Sequence, residues 1–190
     1  MRALLFILAL IVGAASGLGA TWLMSSRDSG FGAIQIGAWR AWPKSGTTEA
    51  DPYARAIFAR SGELPLGLAE GIVFIATADE RGRALDGRCV IRLFGKMLPA
   101  RLWSIAVYDA RGRLIDNPAT RYGFTSTEVL YQADGNVEIW LSPRVREGNW
   151  LPTGENERIA AVVRLYDTPT GVFSRAEVAE MPKLVTERCP

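Results

Sequence analysis

Residues 158–167 read RIAAVVRLYD, and the spacing of this stretch decides the class of fold. Ile159, Ala161, Val163 and Leu165 fall on every second position, with Ala160, Val162, Arg164 and Tyr166 between them. A period of two is that of a β-strand, whose successive side chains point to opposite faces. Moving outward, the alternation recurs. EGIVFIATAD (70–79) aligns Ile72, Phe74 and Ala76. RCVIRLFG (88–95) sets Cys89, Ile91 and Leu93 against Arg88 and Arg92. RLWSIAVYD (101–109) groups Trp103, Ile105 and Val107. NVEIWL (136–141) groups Val137, Ile139 and Leu141 against Asn136, Glu138 and Trp140.

TEVLYQ (127–132) precedes that last stretch across Ala133-Asp134-Gly135, which predicts a hairpin with Glu128 and Glu138 on paired strands. FGAIQIGAWRAWP (31–43) is strand-like and opens the series. Asp51-Pro52 reads as N-cap and first residue of a helix, YARAIFAR (53–60), with Ala54, Ile57 and Phe58 on one face and Gly62 and Pro65 ending it. Many short strands, turn punctuation and one short helix predict a mainly β domain. The expected form is an antiparallel jelly-roll-like sandwich.

Ahead of this domain, residues 3–26 carry no charge. As a helix at ~1.5 Å per residue they reach across a hydrocarbon core of ~30 Å. Arg2 supplies the positive flank, which keeps the N-terminus in the cytoplasm and exports the rest. Ala14-Ala15-Ser16-Gly17 offers an alternative, a cleaved signal peptide. Hydrophobicity continues past it through Trp22-Leu23-Met24, and Trp22 suits the far interface, which favours a retained anchor. Residues 1–26 are therefore expected to be the membrane segment and 27–190 a single exported domain. In an oxidising compartment Cys89 and Cys189 are expected to pair, tying down a stretch that would otherwise fray.

Composition narrows the chemistry. There are 22 basic and 20 acidic residues, interspersed, which gives no footprint for nucleic acid. There is no histidine, so histidine triads, Cys-His pairs and histidine-ligated metals are excluded. No phosphate loop or zinc spacing is present, and no cofactor or metal is expected. DERGRALDG (79–87) and DARGRLIDN (109–117) echo one another, which turn chemistry alone explains.

REGNWLPTG (146–154) puts Trp150 in a stretch of charge and turn residues. Two readings are open. Trp150 plugs the end of the core with Asn149 bonding the loop, or it is a platform for a sugar ring with Asn149 as partner. Arg121, Asp109, Asn149 and Tyr166 would bind a polar or anionic ligand if they converge at one end of the sandwich. The alternative is a network of ion pairs and turns. A glycosidase needs two facing carboxylates; Glu128 and Glu138, flanking the predicted hairpin, could come close, while alternation places such residues by default on a solvated face.

From Arg101 onward the order of motifs resembles the family known as domain of unknown function twelve-fourteen. The landmarks are Trp103, Tyr108-Asp109, Asn117-Pro118, Arg121-Tyr122, Asp134-Gly135, Asn149-Trp150-Leu151-Pro152 and Arg164-Leu165-Tyr166. GRCVIRLFGKMLPARLWS (87–104) extends the likeness upstream. The resemblance implies a jelly-roll-like sandwich in an exported bacterial protein. It implies no activity and no catalytic residue. Longer members carry a second domain, number twelve fifty-four, for which this chain lacks room. The expectation is a module anchored in the bacterial inner membrane by residues 3–26, with its domain in the periplasm. There it would bind an envelope glycan or protein partner without catalysis. The alternatives are a carbohydrate-active enzyme using carboxylate or tyrosine chemistry, or a purely structural assembly subunit.

Overall fold

The computed structural model describes residues 2–26, 32–61, 66–67, 70–169 and 180–190. Gly62 and Pro65, read as the helix stop, lie outside them. The N-terminal helix α1 spans Arg2–Ser26 and packs none of its apolar window into the protein. By length and composition it is apolar enough to cross a membrane. Strands β1 (Ile34–Ile36) and β2 (Trp39–Ala41) form a hairpin from the first tryptophan-rich stretch. Helix α2 (Pro52–Ser61) starts as expected, with Asp51 Oδ1 accepting from the amides of Tyr53 and Ala54.

The alternating stretches become β3 (Gly71–Ala76), β4 (Val90–Gly95), β5 (Leu102–Asp109), β7 (Val137–Ser142) and β9 (Ile159–Tyr166). Short strands β6 (Gly123–Thr125) and β8 (Asn149–Pro152) and the later β10 (Lys183–Arg188) complete two sheets. One has the order β1-β2-β3-β9-β5-β6, the other β10-β4-β7-β8. Their inward residues merge into one core. Phe74, Ala161, Val163 and Leu165 from the large sheet meet Ile91, Leu93, Ile139 and Leu141 from the small one. Trp39 is fully buried, and its indole N–H donates to the carbonyl of Pro182 at 2.7 Å, so its polar atom is satisfied.

Two expectations are corrected. The sheets are not wholly antiparallel, because β7 and β8 run parallel, Ile139 opposite Asn149 and Leu141 opposite Leu151. The connection between them doubles back, so the chain re-enters alongside β7 in the same direction. The hairpin at Ala133-Asp134-Gly135 forms its turn, with Gly135 at φ 78°. Its first arm, however, pairs only through the bridge of Tyr131 with Val137. TEVLYQ is mostly turn, so Glu128 is not on a strand facing Glu138.

Cys89 and Cys189 are joined across 100 residues of chain. The bridge fastens the start of β4 beside β10, which pairs with it. A loop of this length is worth ~4–5 kcal/mol in the chain-entropy account. Denaturant unfolding of oxidised and reduced protein is expected to differ by up to that amount. Coincident curves would mean that the bridge restrains nothing.

Candidate functional site

On β8, Asn149, Leu151 and Pro152 are buried while Trp150 is half-buried. Trp150 thus lies on the outer face of the small sheet, in register with Trp140 of β7, which is in register with Arg92 of β4. It is a strand residue rather than a loop residue, and on the outer face it does not plug the end of the core. Its indole N–H donates to the carbonyl of Ser142 at 2.9 Å. The Arg92 guanidinium lies 4.6 Å from the Phe94 ring centre and 5.7 Å from that of Trp140. Arg146 covers Trp140 at 5.7 Å, and Arg92 is ion-paired with Glu138. Arg121 approaches from the loop after β5, donating to the Trp150 carbonyl at 3.4 Å. The result is a row Arg92–Trp140–Trp150 with arginines at both ends.

Asn149 faces inward beneath this row. Its Oδ1 accepts from the Leu130 amide at 2.7 Å, and its Nδ2 donates to the carbonyls of Leu130 and Glu138, each at 2.8 Å. The side-chain amide behaves as a peptide unit, exchanging two hydrogen bonds with Leu130. It fixes β8 and the 130 segment relative to β7.

Asp109 is occupied by a turn. Its Oδ1 accepts from the amides of Arg111 and Arg113, and its Oδ2 from the Arg113 guanidinium. The backbone bond from Arg113 leads in holding its carboxyl below the usual range. Asp79 makes the same set with Arg81 and Arg83. Gly82 and Gly112, at φ 77° and 72°, supply the left-handed residue in each. The sequence echo is one turn used twice. The first turn also reaches the second sheet, where Arg83 Nη2 donates to the Thr186 carbonyl at 3.0 Å.

Burial would raise the Asp79 carboxyl, but the bonds from Arg83 and Arg81 outweigh it and hold it at about 2. The Thr186 hydroxyl also favours the charged form, although it makes no hydrogen bond of good geometry.

The four residues whose convergence would make a ligand site do not all converge. In the antiparallel pair of β5 and β9, Asp109 is opposite Ile159 while Tyr166 is opposite Leu102, so Asp109 and Tyr166 lie at opposite ends. Arg121 and Trp150 do meet, and Asn149 lies beside them. Glu128 is bound to the amide and hydroxyl of Thr125, which holds its carboxyl below the usual range. Glu138 is spent on Arg92. Among the described residues no cluster of three or more acidic or cysteine side chains is placed to hold a metal.

A groove of about 1190 Å³ runs over the outer face of the large sheet. Val73, Ile75, Ala160 and Val162 floor it, and Trp42 and Phe58 wall it. Sequence reasoning passed over these residues. The available signal was apolar side chains at the outward positions of β3 and β9, where a solvated sheet is usually polar.

These features define a two-sheet β protein with an aromatic, arginine-bearing outer face and a separate apolar groove. The chain belongs to the family described as "Protein of unknown function (DUF1214)", matched over residues 70–170. The match begins well upstream of Arg101. Among solved structures the chain is similar to the VPA0106 protein from Vibrio parahaemolyticus, with a TM-score of 0.59 and 20% identity over 74% of this chain and 36% of that one. It is also similar to an uncharacterized protein from Burkholderia cenocepacia, at a TM-score of 0.42 and 20% identity over 60% of this chain and 28% of that one. The chain therefore spans about a third of the length of these solved relatives. At such identity the likeness concerns fold alone. No curated protein matches the chain.

Two outcomes are expected. Asn149→Ala leaves the Leu130 amide and two carbonyls without partners and should cost ~2–4 kcal/mol in denaturant unfolding; a loss below ~1 kcal/mol would remove its role as a clamp. Asp79, depressed from 3.8 to about 2, contributes about 2 kcal/mol that is fully present above pH ~4. That contribution is lost as pH falls through 2. Urea midpoints measured from pH 5 to 2 should fall more steeply for the wild type than for Asp79→Asn.

Proposed function

We propose that this chain is a non-catalytic binding module of the bacterial cell envelope. In this reading α1 holds it in the inner membrane and the domain after residue 26 stands in the periplasm. The length and apolarity of α1 support the anchor, and the Cys89–Cys189 bridge supports an oxidising compartment. Cleavage after the small residues 14–17 is the alternative and would release the same domain into the periplasm. The jelly-roll winding implied by the family belongs to this reading. The chain passes between sheets at β3–β4, β4–β5, β6–β7, β8–β9 and β9–β10.

The row Arg92–Trp140–Trp150 carries the assignment of the site. Two adjacent indoles on an outward sheet face offer a stacking surface to a sugar ring. Arg92, Arg121, Arg146 and Glu138 supply hydrogen-bonding groups around it. The preferred ligand is an envelope glycan; a protein partner is the other occupant of such a face. The non-catalytic reading rests on the carboxylates, since Glu128 and Glu138 are each engaged with a separate partner, Thr125 and Arg92.

Thermal unfolding of the full chain with peptidoglycan fragments and other envelope glycans tests this. A ligand at 100 times its Kd stabilises by ~2.7 kcal/mol, which raises the midpoint by roughly 5–10 °C. Trp140→Ala and Trp150→Ala should each abolish the shift while the protein stays folded. A shift that survives both, or none with any glycan, would refute the site. Retention of residues 1–26 on the protein in washed membranes checks the anchor.

A further inference from the structure

We infer that the groove over the large sheet holds the hydrocarbon chain of an anionic amphiphile, with Arg164 receiving its head group. Val73 and Ile75 of β3 and Ala160 and Val162 of β9 are outward positions that carry aliphatic residues where water would favour polar ones, and Val162 is 7% exposed although it points away from the core. Trp42 and Phe58 meet edge to face at 6.2 Å and close one side. The lining also includes Thr77, Tyr108 and Tyr166, but the floor residues Val73, Ile75, Ala160 and Val162 carry no side-chain hydrogen-bonding group. A sugar would be poorly served there, whereas a hydrocarbon chain needs only apolar surface. At about 1190 Å³ the groove exceeds the ~300–1000 Å³ of a compact ligand site, as an extended chain requires.

The charges make the groove asymmetric. Its lining includes Arg158, Arg164 and one carboxylate, Asp109, which is already bound to Arg113. Arg164 is half-buried, with its guanidinium 5.5 Å from the Tyr108 ring centre, and it has no carboxylate partner among the described residues. Arg92, half-buried on the other sheet, is by contrast paired with Glu138. A planar guanidinium partly withdrawn from water is best completed by a carboxylate or phosphate, which it can grip through two parallel bonds. An apolar length ending at an unmatched guanidinium describes a fatty-acid-like or lysophospholipid-like ligand. This surface lies on the other sheet from the Trp140–Trp150 row, so each site is tested independently.

The experiment uses the full chain in nanodiscs of zwitterionic phospholipid, with three photoreactive probes of equal chain length. These are a fatty acid, a lysophosphatidic acid and an uncharged fatty alcohol. After illumination, labelled peptides are mapped by mass spectrometry. The acid, the phosphate or both should label the β3 and β9 peptides several-fold more than the alcohol does, and the stronger of the two names the head group. Arg164→Gln should remove that preference and Arg164→Lys should restore most of it. Val162→Trp, which fills the groove, should suppress labelling by every probe, with unfolding midpoints confirming that the variants are folded. Labelling confined to α1 would overturn the proposal. So would equal labelling by acid, phosphate and alcohol, or labelling unmoved by Arg164→Gln.

Discussion

Strand β9 is hydrogen-bonded along both edges, to β3 and to β5, and its two-residue alternation governs both sides of the large sheet. Ile159, Ala161, Val163 and Leu165 face inward and close the core against the small sheet. The residues between them, Ala160, Val162, Arg164 and Tyr166, become the floor and end of the outer groove. A slip of one residue would exchange these sets, placing Arg164 in the core and Leu165 in water. The apolar inner face forbids that slip. Stability of the core therefore also fixes where the Arg164 guanidinium stands in the groove.

Much of this was legible because period two is a local signal. The inward residues of β3, β4, β5, β7 and β9 are those that alternation selects, and the Asp51 cap is equally local, while the cysteine pairing was read from the compartment that the N-terminal segment implies. The misreadings share a different cause. Whether Asp109 and Tyr166 meet depends on the register between β5 and β9, which no local pattern encodes. The strand character of Asn149–Pro152 depends on Leu130, 19 residues away, whose backbone the Asn149 amide grips. A short stretch with a glycine before it and a proline within it reads as a loop until that distant partner is known. The weak arm of the hairpin at 127–132 is the reverse case, a turn that forms without the strand its sequence invited.

Arginine is used in three ways. Arg83 and Arg113 complete tight turns by bonding the aspartate that starts them. Arg92 and Arg146 stand beside aromatic rings, Arg92 at 4.6 Å from the centre of Phe94 and Arg146 at 5.7 Å from that of Trp140. Arg164 lies over a tyrosine without an acid. With no histidine in the chain, no imidazole is present to change its charge across the physiological range.

The margins of the two sheets have a consequence of their own. The large sheet ends in β1 and β6, each three residues long. The small sheet ends in β8, four residues closing on Pro152, and in β10, whose register breaks between Thr186 and Arg188. Short, proline-bearing and bulged margins offer few consecutive free amides and carbonyls to an incoming strand. Donor-strand exchange and β-augmentation, common ways for exported β proteins to polymerise or capture peptides, find little purchase here. The broad faces, rather than the margins, are where side chains stand open to contact.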